Sequence, residues 1–219
     1  MKILSVNIRG FNKDGKKGWF KHLINESNPI VAAVQETKRK KFSDQWIEYA
    51  WGSQNVKYAF KESCGRSGGL LILWDPNIFQ VDSVVEGEFF IAIKGKLSNY
   101  DSEIVIVNVY GPHSDVKKKR FWNSLSELMS YDNAAWVLCG DFNYLRHAYE
   151  RENTNFIARR ASWFNEFIND NGLIEIPFSG RKFTRISDDG LQLSKLDRFL
   201  VWTKVSPTRY KRTRSIIST

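Results

Sequence analysis

The chain has little of what marks secreted, zinc-bound or membrane-spanning proteins. Its 219 residues include two cysteines, three histidines and five prolines. Cys64 lies in a Gly-rich stretch and Cys139 in an apolar run; neither has a CxxC partner or a histidine at zinc spacing, so both are expected as free thiols. His22, His113 and His147 show no HxxxH or comparable spacing, which disfavours zinc. No apolar run approaches the roughly 18 to 20 residues a membrane span needs, and Met1 leads into a strand-like segment without a charged n-region or cleavage site. A soluble, intracellular chain with no membrane partner is expected. A Gly-x-x-x-x-Gly-Lys-Ser/Thr loop is also missing. Arg66, Ser67, Gly68 and Gly69 supply glycines without the spacing or the lysine, so no nucleotide cradle or other small-molecule cofactor is expected.

What is present is apolar and basic. At 42% hydrophobic and 14% aromatic residues, the chain can bury one sizeable core, read as a single domain over 1–202 followed by a divergent basic tail over 203–219. The net charge of +9 fits a polyanionic partner, because Lys and Arg release counterions when they neutralise phosphates. Asp197 is the last acidic residue, and six Lys or Arg follow it. A merely solvated tail is the alternative reading of that segment.

Short Val- and Ile-rich runs alternate with amphipathic patterns, which points to α/β or α+β layers. Strands are predicted over 2–6, 30–35, 69–74, 79–85, 89–97, 103–109, 136–139, 182–186 and 196–201. From 69 to 109 only turn-like breaks separate four strands, so an antiparallel meander is expected there. Helices are predicted over 16–26, 44–49, 115–130 and 159–169. In the third, Phe121, Leu125, Leu128 and Met129 share one face, and Ser114 or Asp115 can cap the start. Its Lys117 to Arg120 run reads as a solvated face, with a phosphate-facing patch as the alternative.

Polar residues at the ends of apolar strands are the candidates for chemistry, since rigid scaffolds present reactive groups there. Asn7 follows Val6, Glu36 follows Gln35, Tyr110 follows Val109, and Asp141 and Asn143 follow the run ending at Gly140. Two carboxylates and two amides converging would offer hard oxygen ligands. Such a set suits Mg²⁺, which takes one or two carboxylates, keeps several waters and accepts a phosphate oxygen. Singly, each residue has a plainer role: a turn-forming Asn or Asp, a surface ion pair for Glu36, a core position for Tyr110, and a pairing of Asp197 with Lys195 or Arg198.

The ordered set is more specific. Ser5 to Gly10, Val34 to Lys38, Gly65 to Gly69, Asn108 to His113, Gly140 to Asn143, Phe183-Thr184 and Ser194 to Phe199 together resemble the endonuclease domain of LINE-type (non-LTR) retrotransposons. That domain is related to deoxyribonuclease I and the apurinic endonucleases. The resemblance implies a four-layer α/β sandwich of two packed mixed β-sheets flanked by helices, a Mg²⁺ (or Mn²⁺) cofactor, DNA as partner and a nuclear location. It assigns Glu36 and Asn7 to the metal, Asp141 to proton acceptance from the attacking water, and Asn143 and Tyr110 to the scissile phosphate. Thr184 would lie near the substrate backbone, and Asp197 would orient a histidine.

One part of the pattern fails. The family ends on Ser-Asp-His and a Pro-containing apolar strand, whereas the residues after Val201 contain no histidine or carboxylate. Loss of one transition-state stabiliser commonly costs about 10²- to 10³-fold in rate, so weak or no activity is expected. A missing final strand would also open a sheet edge and favour association. Arg185 stands where the family often has Trp. The functions in contention are a target-nicking endonuclease, a catalytically dead nucleic-acid-binding relic using the tail and Trp163 beside Arg159 and Arg160, and an apurinic-type repair endonuclease.

Overall fold

In a strand, residues two apart share a face, so each apolar run here offers one face to a helix layer and the other to a second sheet. The computed structural model describes residues 1–64, 67–130, 134–177, 182–187 and 189–202. The first sheet contains β1 (Ile3–Asn7), β2 (Val31–Gln35), β3 (Lys57–Cys64) and β4 (Ser67–Trp74) in the order β1-β2-β4-β3, with β1 and β2 parallel and the other pairs antiparallel. The second has the order β10-β13-β8-β7-β6-β5, built from β5 (Phe79–Glu86), β6 (Phe90–Leu97), β7 (Glu103–Tyr110), β8 (Ala135–Asp141), β10 (Ile174–Glu175) and β13 (Asp197–Trp202). Only β7 and β8 pair parallel in it. A small third sheet joins β11 (Arg185–Ile186), β12 (Leu193–Ser194) and β9 (Arg151–Glu152).

Helices α1 (Lys16–Ser27) and α2 (Asp44–Trp51) pack Phe20, Leu23, Ile24 and Ile47 onto the outer face of the first sheet. Helices α3 (Asp115–Ser130) and α4 (Ala158–Asp170) cover the second with Phe121, Trp122, Leu125, Phe164 and Phe167. Between the sheets lies a third core of Ile3, Val31, Ala33, Ile72, Ile106, Val137, Cys139 and Phe199. This is the four-layer α/β sandwich expected. No helix among the described residues is long and apolar enough to cross a membrane.

Several expectations need correction. The four-strand meander is a three-strand meander of β5, β6 and β7; β4 belongs to the first sheet, between β2 and β3. The break at Asp75 is a crossover, held where the Asp75 amide donates to Ile30 at 3.0 Å and the Phe79 amide to Asp75 at 2.9 Å. A hairpin and a crossover use the same turn residues, so only the pairing separates them. Strand β3 escaped prediction because Lys57, Lys61 and Glu62 mask its pattern; as an edge strand it carries the charges that discourage edge-to-edge pairing.

The basic run in α3 is not one solvated face. Lys118 is buried, its nitrogen 4.3 Å from the Tyr144 ring centroid and 3.7 Å from Asp115, while Lys117 pairs with Glu88 at 3.5 Å. Trp163 is partly buried against the core beneath the Arg159 guanidinium, 5.1 Å from its ring centroid, rather than an exposed platform. Arg160 is tied to Asp115 at 2.9 Å. Cys139 is a free, buried thiol, whose burial pushes its pKa up to about 12. The Cys64 side chain, Gly65, Arg66 and the basic tail 203–219 lie outside the described residues.

Candidate active site

Following the inward-facing positions of five strands leads from core to site. The inner column of β1 reads Ile3, Ser5, Asn7; that of β2 reads Val31, Ala33, Gln35. In the second sheet β7 presents Ile104, Ile106, Asn108, Tyr110, β8 presents Val137, Cys139, Asp141, and β13, running the other way, presents Val201, Phe199, Asp197. Every column turns from apolar to polar at the same end of the sandwich. Register sharpens this, because Tyr110, Asp141 and Asp197 are direct neighbours across β7, β8 and β13. Register partners stand side by side on one face.

Polar bridges between the sheets fix their spacing at that end. The Gln35 amide donates across to Asn108 Oδ1 at 2.7 Å and, within the first sheet, to Ser5 Oγ at 3.1 Å, and Asn108 Nδ2 donates to the carbonyls of Val34 and Leu71 at 3.1 and 3.0 Å. One layer further out, Asn7 Nδ2 donates to Asp141 Oδ2 at 2.8 Å. The other oxygen, Asp141 Oδ1, accepts from the Asn143 amide at 2.9 Å, an Asx turn that holds Asn143 at a φ of 54°. Asn143 Nδ2 in turn donates to the Gly111 carbonyl at 2.8 Å. The turn-forming role and the candidate catalytic role of these residues therefore coexist.

Glu36 reaches the site by breaking its strand's alternation. Its φ of 54° is left-handed, uncommon for a non-glycine residue, and swings the side chain away from the path of Gln35. Bonds on either side hold it: the Ile8 amide donates to Gln35 and the Thr37 amide to Gly69, both at 3.0 Å. Gly69 must be glycine there. Its φ is +84°, and a Cβ would lie 2.3 Å from Thr37 Oγ1. Lys38 Nζ sits 3.0 Å from Glu36 Oε1.

The electrostatics are those of crowded negative charge. Burial first, and the Asp141 carboxylate second, push the Asp197 pKa up to about 7. Burial also raises Asp141, but the Asn143 amide and the Asn7 side chain donate to it and favour its charged form. Both carboxylates are thus raised, and hydrogen bonds that favour the charged form come to Asp141 from Asn143 and Asn7. Burial, helped by Glu36 and Asp141, raises Tyr110, so its hydroxyl keeps its proton and can donate. The exposed His113 ring meets Tyr110 edge-on with centroids 6.3 Å apart, and its charge acts on Asp141.

Behind Asp197 lies a second polar centre. Thr184 Oγ1 accepts from the Leu196 and Asp197 amides at 2.9 and 3.0 Å, clipping the start of β13. The next residue, Arg198, has a fully buried side chain on the opposite face, paired with Glu150 at 2.6 Å and Glu175 at 2.7 Å. Lys195 and Arg146 also reach Glu175, at 2.6 and 2.8 Å. Asp197 thus pairs with neither Lys195 nor Arg198; both are held by glutamates.

Two facing sheets with strand-end Asn, Glu, Tyr, Asp and Asn at one rim match a known domain type. A model of the Endonuclease/Exonuclease/phosphatase family matches residues 4–217. The chain belongs to that family. Its structure is similar to AP endonuclease LMAP from Leishmania major, with a TM-score of 0.71 at 13% identity, covering 92% of this chain and 78% of that one. It is also similar to the Neisseria 3′ phosphatase NExo bound to a product DNA hairpin, with a TM-score of 0.69 at 18% identity and coverage of 92% and 86%. The endonuclease domain of TRAS1, a telomere-specific non-LTR retrotransposon, gives a TM-score of 0.64 at 12% identity and coverage of 90% and 82%. At these identities the likeness shows the endonuclease/exonuclease/phosphatase fold.

The structure gathers Asn7, Glu36, Tyr110, Asp141, Asn143, Thr184 and Asp197 at one rim. Sequence reasoning gave no role to Gln35, Asn108, His113 or the Glu150 and Glu175 network. The first two were findable, since period-2 counting puts them on the inner face one step before Tyr110 and beside Asn7. Glu150 and Glu175 had no local signal.

Proposed function

We propose that this chain is a Mg²⁺-dependent endonuclease that hydrolyses DNA phosphodiester bonds, of the retrotransposon target-nicking type, acting in the nucleus. The observation that carries this reading is the in-register row of Tyr110, Asp141 and Asp197 facing Asn7 across the sheets. The donor set fits a hard divalent ion: Glu36, Asn7 and Asp141 offer oxygens only, and the crowded carboxylates would be relieved by a cation. Among the described residues no group of three or more His, Cys, Asp or Glu side chains is placed to hold a metal ion, so the ion would depend on Glu36, Asn7, waters and substrate oxygens. Such a site suits an ion that keeps waters and takes a substrate oxygen. Glu36 would hold Mg²⁺, or Mn²⁺ in its place, with Asn7 beside it; the bound ion supplies Lewis-acid stabilisation of phosphate charge.

The chain's own groups do the remaining work. Ionised Asp141 accepts a proton from the attacking water, while its bonds to Asn7 and Asn143 fix its orientation. Tyr110 and Asn143 donate to the phosphate as negative charge grows. Thr184 holds Asp197 at the rim where the substrate backbone passes. DNA binding without cleavage is the second reading, since residues 202–219 carry no Asp-His pair. Purified chain would be incubated with supercoiled plasmid and Mg²⁺ beside Glu36→Ala, Asp141→Ala and an EDTA control. Nicked circles that disappear in all three controls support the enzyme. No nicking by folded wild type leaves the binding reading.

A further inference from the structure

Near the acidic rim stand two arginines, Arg9 and Arg185, whose side chains belong to no ion pair among the described residues. Arg185 opens β11, and the register across the small sheet runs Arg185 to Ser194 to Arg151. Register partners share a face, so the two arginines project from one side, two strand spacings or about 10 Å apart. Arg151 is anchored, donating from Nε to Ser194 Oγ at 3.2 Å and from Nη1 to the Asn155 carbonyl at 2.9 Å. The Arg185 side chain is exposed and has no hydrogen bond or ion pair among the described residues. It follows Thr184, whose hydroxyl clips Asp197, and its charge acts on both Tyr110 and Asp141.

Arg9 lies on the first-sheet side, just beyond the end of β1. It stands two residues beyond Asn7, held at a φ of 53°, with its amide donating to Asn7 Oδ1 at 3.2 Å. Its side chain is half-buried and has no carboxylate partner among the described residues, yet its charge acts on Asp197. Lys13 and Arg9 both bear on Lys16, so cations are gathered on this side as well. Structural cations in this protein are paired: Arg146, Lys195 and Arg198 go to glutamates. Arg9 and Arg185 flank two carboxylates without touching them, which leaves their guanidinium groups free for an incoming anion.

We propose that Arg9 and Arg185 are the two arms of a phosphate clamp that grips the DNA backbone on either side of the acidic rim. The clamp rests on the DNA-cleaving reading above and adds where the strand is held. Its test is binding without cleavage: a fluorescent DNA duplex titrated in EDTA at a series of salt concentrations, followed by anisotropy. Wild type would be compared with Arg9→Ala, Arg185→Ala, Arg185→Lys and, at the opposite end of the first sheet, Lys57→Ala. Each lost phosphate contact lowers the slope of log K against log salt by about 0.9. Both arginine-to-alanine variants should show that drop with weaker binding, Arg185→Lys should restore the slope, and Lys57→Ala should match wild type. Unchanged slopes, a drop in only one arm, or no duplex binding by wild type would overturn the clamp. Nicking by a wild type whose variants keep their slopes would leave the proposed reaction standing without the clamp. The expected slopes without nicking would keep the clamp and sink the reaction. Arg185 is exposed, so its variants should fold; the lysine variant separates lost charge from lost structure.

Discussion

Asp197 and Arg198 are adjacent in β13 and point to opposite faces of one sheet, and the two faces treat charge in opposite ways. On the outer face Arg198 is buried with Glu150 and Glu175, and Lys195 and Arg146 complete the network. Burial alone would raise the Glu175 pKa, but Arg198, Lys195 and Arg146 overcome it and hold it at about 2. On the inner face Asp197 is buried beside another carboxylate, and burial first and that carboxylate second push it up to about 7. One centre is satisfied within the chain; the other is left needing something from outside. A buried carboxylate pair opposes folding once both groups ionise, which makes it a candidate functional site, whereas the outer network is satisfied within the chain.

The comparison can be broken first where its structural half is strongest. Arg198→Ala would strand Glu150 and Glu175 without their main cation, and removing one partner of a buried ion pair costs about 3–5 kcal/mol. Urea unfolding measures it; a loss below 1 kcal/mol would show that the network is no anchor for β13. On the functional face, Asp141→Ala should lower nicking by about 10²–10³-fold, the effect of losing one transition-state group. Its melting temperature should fall far less than that of Arg198→Ala, and equal losses would erase the distinction.

Acid tests the network again. Glu175 is depressed in the folded state, so its stabilising contribution is complete above its ordinary value of 4.5 and is lost as pH falls towards 2. Wild type should therefore lose up to about 3 kcal/mol in that window by urea titration. Glu175→Gln should lack this part of the acid loss. The smallest effect runs the other way. Because Asp197 is raised, its ionisation increasingly opposes folding as pH rises from 3.8 to about 7. Asp197→Asn should be more stable than wild type at pH 8 in EDTA, by at least one pKa unit's worth, about 1.4 kcal/mol, with the gain vanishing below pH 4. A destabilised variant at pH 8 would mean that the aspartate's bonds to its partners outweigh its burial and the neighbouring carboxylate.

Much of this was legible beforehand. Periodicity located nine of the described strands and the four described α-helices within a few residues, because apolar alternation is a local signal. The strand-end rule found Asn7, Tyr110 and Asp141, since a polar residue ending an apolar column has few other reasons to be there. What local pattern could not carry was partnership. Asp75 to Asn77 reads as a turn whether the chain hairpins or crosses to another sheet. Lys118 reads as solvated until Tyr144 and Asp115 enclose it. Asp197 reads as a mate for Arg198 until strand alternation sends the two side chains to opposite faces.

The sequence by itself determined the α/β class, the basic character, the oxygen-rich candidate set and the ordered motifs that mark the family. Tertiary structure alone decided that β4 leaves the meander, that Gln35 and Asn108 lock the sheets together, and that Asp141 stands beside Asp197 while Glu150 and Glu175 take the cations. The division is physical. Propensity and hydrophobic period act over a few residues, whereas charge pairing and desolvation depend on which groups, up to 134 positions apart as for Asn7 and Asp141, are brought within hydrogen-bond reach.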